Sequence, residues 1–268
     1  MKALNAGQLA RYGITGVVEI DGYETRTTNA SRPFTPVGFM AHHTAGRDSL
    51  GLCIRRKLVQ YHLDKKGTIT LIASGRTGHC GYGAQSVIDD CRNDVAPKGD
   101  ASKYSPRAVN PSRHLDPEGS RVPGYQWFIG VEVENLGDGS DPYTDEQIEA
   151  MVKLAAAHCV EYEWSANRVI HHREFTSRKV DMSWDGDLRG EVDKAMKQMV
   201  ASSQTERQPM PGIFSDVPKG AFFAKAAEWA FKNGITKGIG PGKFGPDEPM
   251  TRAQAVTFLH RYHEKFGK

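Results

Sequence analysis

A short apolar run ends in two histidines in the stretch Val37-Gly38-Phe39-Met40-Ala41-His42-His43. Its length and its unbroken apolar character predict a buried β-strand that delivers histidine to its end. Successive side chains of a strand point to opposite faces, so His42 and His43 can face the same site only if the strand is distorted.

Several other segments carry strand or helix signals. Four runs predict strands: a hairpin over Val17 to Glu24 around Asp21-Gly22, a run over Thr68 to Ile72, a central strand over Tyr125 to Val133 that carries Glu132, and Arg168 to Ile170, which delivers His171 and His172. A capping box of Thr144 and Gln147 begins the clearest helix, and a second amphipathic segment begins near Leu188. Strands and helices that alternate in this way predict an α/β fold with a central mixed β-sheet flanked by helices.

The chain of 268 residues is long enough for one sizeable domain and a small one. Ala201 to Gly212 has the composition of a linker, which predicts a catalytic domain over 1–200 and a small helical module over 213–268. Gly83 to Val122 is rich in Asp, Arg, Pro and Ser and shows little periodicity, so it predicts a long surface loop.

Composition and charge argue against several classes of function. The net charge is only +3 and no block of lysines and arginines occurs, so no nucleic-acid partner is predicted. No apolar run is long enough to span a bilayer, so no membrane insertion is predicted. Residues 1–13 lack the apolar core of a standard secretory signal. The four cysteines predict free thiols, with a disulfide between Cys80 and Cys91 as the alternative.

Three scattered residues are of the types that hold a catalytic zinc ion. His42 and His172 each end a predicted strand, and Asp181 lies in a loop soon after the second. Two neutral imidazoles and a carboxylate are ligands that leave a fourth coordination position for water. Because no HExxH-type spacing connects them, the residues alone leave a zinc site and three unrelated polar side chains as equal alternatives.

The segments around these residues occur in the order that is typical of one family. They are His42 to Gly46, Tyr61 to Thr68, Ile129 to Glu132, and His172 to Asp181. Over residues 35 to 185 the sequence resembles the N-acetylmuramoyl-L-alanine amidase type 2 family, which includes phage lysozyme-type amidases and the peptidoglycan recognition proteins.

The resemblance implies zinc (Zn²⁺) held by His42, His172 and Asp181 on a central β-sheet flanked by helices. The chain departs from the family pattern in having double histidines at both ligand positions and one residue fewer between His172 and Lys179 than many relatives. Spacing back from Lys179 favours His171 as the ligand, whereas the His-x-Glu pattern favours His172. We choose His172 because a strand end tolerates a shift less well than a loop.

The resemblance also implies the reaction, which is hydrolysis of the amide between the lactyl group of muramic acid and L-alanine in peptidoglycan. Glu132 is the first candidate for the proton shuttle and Tyr61 the second, and Lys179 is placed to stabilise the oxyanion. Relatives carry a histidine near His79 at the substrate rim, which implies substrate binding. A Cys80–His79 nucleophile pair is not predicted, because the side chains of adjacent residues diverge.

The C-terminal segment resembles a single S-layer homology repeat over residues 214 to 268. The resemblance rests on Phe214 to Val217, Trp229, Phe244 to Asp247 and Thr251 to Gln254, with Gln254 in place of the usual glutamate. Such modules bind anionic secondary cell-wall polysaccharide, which implies that Arg252 contacts acidic groups and that Trp229 lines the site. The alternative for Trp229 is a core aromatic of a very small domain.

Together these inferences predict a zinc amidase of bacterial peptidoglycan that is held to the wall by its C-terminal module. A wall-binding module without an export signal favours a phage endolysin, made in the host cytoplasm and acting on the cell wall after release. A bacterial autolysin is one alternative, and a non-catalytic peptidoglycan-binding protein of the same fold is the other. The second alternative is disfavoured by Asp181, since binding-only relatives commonly lose the third ligand.

Overall fold

The chain forms two compact units, residues 1–199 and 200–268, in the computed structural model. The structure describes residues 1–97, 122–176, 179–206 and 213–267, with all of their side chains except those of 203–206.

The first unit is built on a six-stranded mixed sheet. Its strands are β1 (Val18–Glu19), β2 (Gly38–His43), β3 (Tyr61–Leu63), β4 (Ile69–Leu71), β7 (Phe128–Val133) and β8 (Val169–His171), while β5 (Tyr82–Gly83) and β6 (Val122–Pro123) form a separate antiparallel pair. The order across the sheet is β1-β4-β3-β7-β2-β8, and every pair is parallel except β3 with β4. The predicted central mixed sheet is confirmed, with β3 and β7 in its middle.

Helices cover both faces of this sheet. They are α1 (Ala6–Ala10), α2 (Leu50–Arg56), α3 (Gln85–Arg92), α4 (Asp145–Tyr162), α5 (His172–Phe175) and α6 (Leu188–Glu206). The capping box of Thr144 and Gln147 begins α4 as predicted, with the Gln147 amide donating to the Thr144 hydroxyl at 3.1 Å. The apolar side of α6 packs on the same core as α4 through Leu188 and Val192.

Alternation along β2 divides the core into two layers. Phe39 and Ala41 pack with α4 and with the N-terminal segment, whereas Met40 packs with α3 on the opposite face. Both faces of β2 are therefore buried, which is why its sequence is apolar without alternation. His42 shares the face of Met40, so the register of this strand decides which histidine enters the site.

The second unit contains α7 (Ala224–Lys232) and α8 (Arg252–Phe266). Its small core is formed by Phe214, Val217, Ala224 and Ala227. Thr251 caps α8 as predicted, accepting from the Gln254 amide at 3.2 Å. None of the residues of α8 is buried in the structure.

Three sequence-based predictions of local structure differ from the structure. The hairpin over 17–24 is wrong: β1 pairs in parallel with the distant β4, and the segment after it is a turn in which Gly22 adopts a φ of 72°. The loop predicted over 83–122 contains β5, α3 and β6; its residues 98–121 lie outside the described residues. The linker predicted from Ala201 begins later, because α6 continues to Glu206.

Candidate active site

The candidate active site lies at the edge of the sheet where parallel strands end. His42 on β2 lies opposite Glu132 on the neighbouring β7. His172 follows β8, which pairs with the other side of β2, and Asp181 comes from the segment after α5. Because the carboxyl ends of parallel strands meet at one edge, these four residues line a single cavity of about 500 Å³.

Three donor atoms converge in this cavity. The Nδ1 atoms of His42 and His172 lie 2.9 Å apart. The Oδ2 atom of Asp181 lies 2.9 Å from His172 Nδ1 and 3.3 Å from His42 Nδ1. All three side chains are buried. The structure therefore brings together the three residues proposed as zinc ligands.

Hydrogen bonds on the far side of the imidazoles show which atoms are free to bind a cation. His172 Nε2 lies 2.9 Å from the carbonyl oxygen of Cys80, which only accepts, so Nε2 carries the hydrogen and Nδ1 has the lone pair in the neutral ring. His42 Nε2 points away from the group, toward His79 Nδ1 at 3.0 Å. Burial, followed by the neighbouring His172, lowers the pKa of His42 to about 4, so this ring is neutral at pH 7.

The charge of Asp181 completes a set that suits zinc. Burial by itself raises the pKa of this carboxyl, but the electrostatic influence of the two imidazoles beside it, His172 first and then His42, outweighs burial and holds the pKa well below its usual range. Two imidazoles and one carboxylate, whose donor atoms converge on a common point, match the open zinc sites of hydrolases. The residues present fit a zinc ion.

Glu132 has the properties of a proton carrier. Burial, and next the negative charge of Asp181, raise the pKa of Glu132 well above its ordinary value. Its Oε2 atom is buried and has no hydrogen-bond partner among the described residues. A carboxyl group whose pKa is raised in this way holds a proton more readily than an exposed glutamate, which suits a group that takes up a proton and passes it on. Lys179 lines the same cavity and brings an exposed ammonium group.

The prediction of Tyr61 as a proton shuttle is wrong. Tyr61 lies opposite Val131 across the sheet, so its side chain points to the face away from the cavity. The ring is fully buried, and its hydroxyl donates to the Leu4 carbonyl at 2.6 Å and contacts His158 Nε2 at 3.1 Å. Tyr61 therefore holds the N-terminal segment against the sheet.

Removing the hydroxyl in a Tyr61→Phe variant is expected to spare hydrolysis and to lower stability. The buried Leu4 carbonyl loses its donor, so the free energy of unfolding should fall by about 1 kcal/mol. Urea denaturation and a wall-hydrolysis assay measure the two effects. Loss of hydrolysis at unchanged stability would contradict the structural role.

His79 and its neighbour Cys80 are both buried. His79 is only 4% exposed and is one of the residues that line the cavity. The Cys80 Sγ lies 2.6 Å from His79 Nδ1, and burial raises the pKa of this thiol well above its ordinary value. A buried thiol of raised pKa is a poor nucleophile. All four cysteines of the chain lie within the described residues and are free and buried.

His171, the alternative ligand, lies outside the donor group. Its backbone amide donates to Glu174 Oε2 at 2.7 Å as part of a capping box that begins α5. The parity of β8 and the start of α5 therefore turn His172, and not His171, toward Asp181.

The two residues proposed to bind wall polymer lie in the second unit. Trp229 on α7 is 44% exposed and stacks on Phe266 of α8, with ring centroids 5.5 Å apart. It is therefore not the core aromatic considered as the alternative. Arg252 is the first residue of α8 and is exposed.

Sequence reasoning missed two features that shape the site. The Cys80 carbonyl orients His172, and no sequence pattern announces a backbone acceptor. Gly130 on β7 leaves space against which the His79 ring packs. A single glycine within an apolar strand is a known sign of such a close approach, so this second feature had a readable signal.

These features agree with the sequence family to which the chain belongs. Residues 32–184, more than half of the chain, match the N-acetylmuramoyl-L-alanine amidase family. Residues 213–256 match the S-layer homology domain family. The chain is thus a member of the amidase family that carries an S-layer homology domain at its C-terminal end.

Several solved structures are similar to the chain. An endolysin N-acetylmuramoyl-L-alanine amidase, LysCS from Clostridium intestinale URNW, is 16% identical over 70% of this chain and 95% of its own, with a TM-score of 0.35. A selenomethionine derivative of AmpD is 12% identical over 70% and 97%, with a TM-score of 0.44. The amidase AmiD from E. coli is 16% identical over 94% and 89%, with a TM-score of 0.38.

A curated relative matches a short part of the chain. It is a cell surface protein of Thermoanaerobacter kivui, 46% identical over 48 residues, which are 18% of this chain. The chain spans 6% of the length of that protein. In the portions of the chain that the structure describes, none of the helices combines the length and apolar character needed to cross a membrane.

Proposed function

We propose that the protein is a zinc-dependent N-acetylmuramoyl-L-alanine amidase that hydrolyses the lactyl–L-alanine amide of bacterial peptidoglycan. The observation that carries the proposal is the convergence of two histidine Nδ1 atoms and one aspartate oxygen, within 2.9–3.3 Å of one another, in a cavity that Glu132 and Lys179 also line. Membership in the amidase family supplies the substrate class.

The residues divide the chemistry between them. His42, His172 and Asp181 would hold the zinc ion, which when bound polarises the scissile carbonyl and lowers the pKa of water toward ~7. Glu132 takes a proton from the attacking water and gives it to the leaving nitrogen of L-alanine. The Lys179 ammonium stabilises the negative charge that develops on the carbonyl oxygen. The C–N bond is replaced by a C–O bond, which yields a lactyl carboxylate and a free amine.

Mass spectrometry of digested peptidoglycan tests this proposal. The expected products are glycan strands with a free lactyl carboxyl and peptides that begin with L-alanine. Zinc analysis of the same preparation should give one zinc ion per chain, and chelation should stop the reaction until zinc is restored. Cleavage of a glycosidic or cross-bridge bond, or full activity without metal, would refute it.

We further propose that the C-terminal module binds an anionic secondary cell-wall polysaccharide. The support is the S-layer homology match and the placement of exposed Arg252 and Trp229 in the same small unit. An arginine donates paired hydrogen bonds to acidic groups, and an exposed indole offers a flat apolar surface of the kind that covers a sugar ring.

The Arg252→Ala variant should bind isolated cell walls about tenfold more weakly or worse, since a hydrogen bond to a charged group contributes about 1.5–3 kcal/mol. Lys237→Ala is the matched control, because Lys237 is another exposed cation of the same module. Co-sedimentation with walls measures both. Equal losses in the two variants would indicate a general charge effect, and no loss in Arg252→Ala would remove this residue from the binding site.

The biological setting we propose is lysis of the host by a phage endolysin that is made in the host cytoplasm. A bacterial autolysin is the alternative. Expression in a bacterial cytoplasm tests the endolysin setting. Lysis should follow only when the inner membrane is permeabilised. Lysis of intact cells without permeabilisation would contradict it.

A further inference from the structure

His79 lies directly behind one of the proposed zinc ligands. Its Nδ1 is 3.0 Å from His42 Nε2, and its Nε2 is 3.0 Å from the Phe128 carbonyl oxygen. The two imidazoles meet edge to face, with centroids 5.1 Å apart and an interplanar angle of 90°. A continuous chain of polar contacts thus runs from a backbone carbonyl to the ligand His42.

The direction of hydrogen bonding along this chain follows from its fixed end. A carbonyl oxygen only accepts, so His79 Nε2 carries the hydrogen, and Nδ1 of the neutral ring is an acceptor. His42 Nε2 must then donate to it. The hydrogen of His42 is thereby held on Nε2, and the lone pair of His42 Nδ1 points at His172 and Asp181.

One other group competes for the same acceptor. The Cys80 Sγ lies 2.6 Å from His79 Nδ1 and 3.9 Å from His42 Nε2. A thiol is a weak donor compared with an imidazole N–H. The hydrogen bond that His79 Nδ1 accepts therefore comes from His42 Nε2 and not from the Cys80 thiol.

Gly130 has no side chain and so leaves the space that the His79 ring occupies. A Cβ atom at position 130 would lie 2.5 Å from both Cε1 and Nδ1 of His79, which is closer than such atoms can approach. Gly130 does not adopt a left-handed backbone conformation, so the need for glycine here is steric and comes from the ring. Since the Gly130 amide donates to Gln60 Oε1 at 2.8 Å, the backbone at this point is also held in place.

We infer that His79 is a positioning residue that fixes the tautomer of His42 for metal binding, and that Gly130 is required because it seats the His79 ring. This inference rests on the proposed zinc site. The corresponding role for His172 is filled by the Cys80 carbonyl, so each imidazole ligand has its own partner that accepts from Nε2.

Zinc affinity, measured by competition with a chromogenic chelator, tests the inference. Loss of a partner of this kind typically weakens metal binding about 10–100-fold, and His79→Leu should fall in that range. His79→Asn keeps an acceptor near the position of Nδ1 and should recover most of the affinity. Gly130→Ala should reproduce the loss without changing His79. Gly46→Ala is the matched control, since a Cβ there meets no atom within 4 Å.

The tautomer itself can be read in the metal-free protein by long-range ¹H–¹⁵N spectroscopy of labelled histidine. In the wild type the hydrogen of His42 should reside on Nε2, and in His79→Leu a population with the hydrogen on Nδ1 should appear. A wild-type His42 protonated on Nδ1 overturns the inference even if His79→Leu fails to fold. Unchanged zinc affinity in a folded His79→Leu variant overturns it as well. A wild type that binds no zinc would instead refute the proposed function.

Discussion

An Asp181→Ala variant is expected to lose both its zinc and its hydrolytic activity while still adhering to cell walls. Asp181 supplies the only negative charge of the three proposed ligands, and its Oδ2 lies 2.9 Å and 3.3 Å from the two imidazole nitrogens. Without it, only two imidazole ligands remain, whereas a catalytic zinc site requires three protein ligands. The loss of affinity should exceed the ~10–100-fold that follows removal of an outer partner.

The measurements are zinc content, release of L-alanine-terminated peptides, and co-sedimentation with walls. Asp185→Ala is the matched control, because it removes a carboxylate four residues away whose side chain is 96% exposed. Adhesion should persist in both variants, since the S-layer homology match lies in the other unit. A variant without zinc that still hydrolyses walls would refute the zinc mechanism, and one that keeps both would refute the ligand assignment.

The elements that could be predicted from the sequence are those whose signal is local. The apolar runs of β2 and β7 indicate strands buried on both faces, and the Thr144–Gln147 capping box marks the beginning of α4. The turn at Gly22 was also readable, but the strand that pairs with β1 is β4, about fifty residues away in sequence. No local pattern contains that pairing.

The short helix α3 was hidden by its composition. Its buried residues are only Val87, Ile88 and Cys91, which pack against Met40 and Phe128 of the sheet, and its other residues are polar or charged. Eight residues are too few for a periodic pattern to stand out from a polar segment. The stability of this helix comes from the sheet on which it packs, which is a tertiary effect.

Strand register explains why Tyr61, whose hydroxyl could in principle carry a proton, does not reach the candidate active site. A shift of one residue reverses the face of every side chain in a strand. β3 aligns His62 with Glu132 and thereby turns Tyr61 into the opposite core layer. The sequence contains both residues but not the register, so Tyr61 could be separated from Glu132 only by the structure.

Replacing Glu132 by glutamine should slow hydrolysis about 10²–10⁴-fold, the range typical for loss of a general acid or base. Glu132 must be ionised to take a proton from water, and burial and the charge of Asp181 raise its pKa well above the ordinary value. The wild-type rate should therefore rise as the pH increases through that raised pKa. Glutamine does not ionise, so the residual activity of Glu132→Gln should lack this rise.

The stability of Glu132→Gln should rise while its activity falls, and this combination separates a catalytic role from damage to the fold. Between the unfolded-state pKa of a glutamate, about 4.3, and the raised pKa of Glu132, the folded state holds more protons than the unfolded chain. The stability of the metal-free wild type therefore decreases as the pH rises through this window. Glu132→Gln escapes this decrease and should melt at a higher temperature than the wild type at pH 8.

The matched control is Glu134→Gln, which makes the same change two residues along, at a side chain that does not line the cavity. Its pH–rate profile should follow that of the wild type. A Glu132→Gln variant that is slow and also less stable at pH 8 would indicate a structural role for this carboxyl. An unchanged pH–rate profile in Glu132→Gln would show that another group carries out the proton transfer. That outcome would leave Glu132 as a cavity-lining carboxyl whose buried Oε2 has no hydrogen-bond partner in the part of the chain that the structure describes.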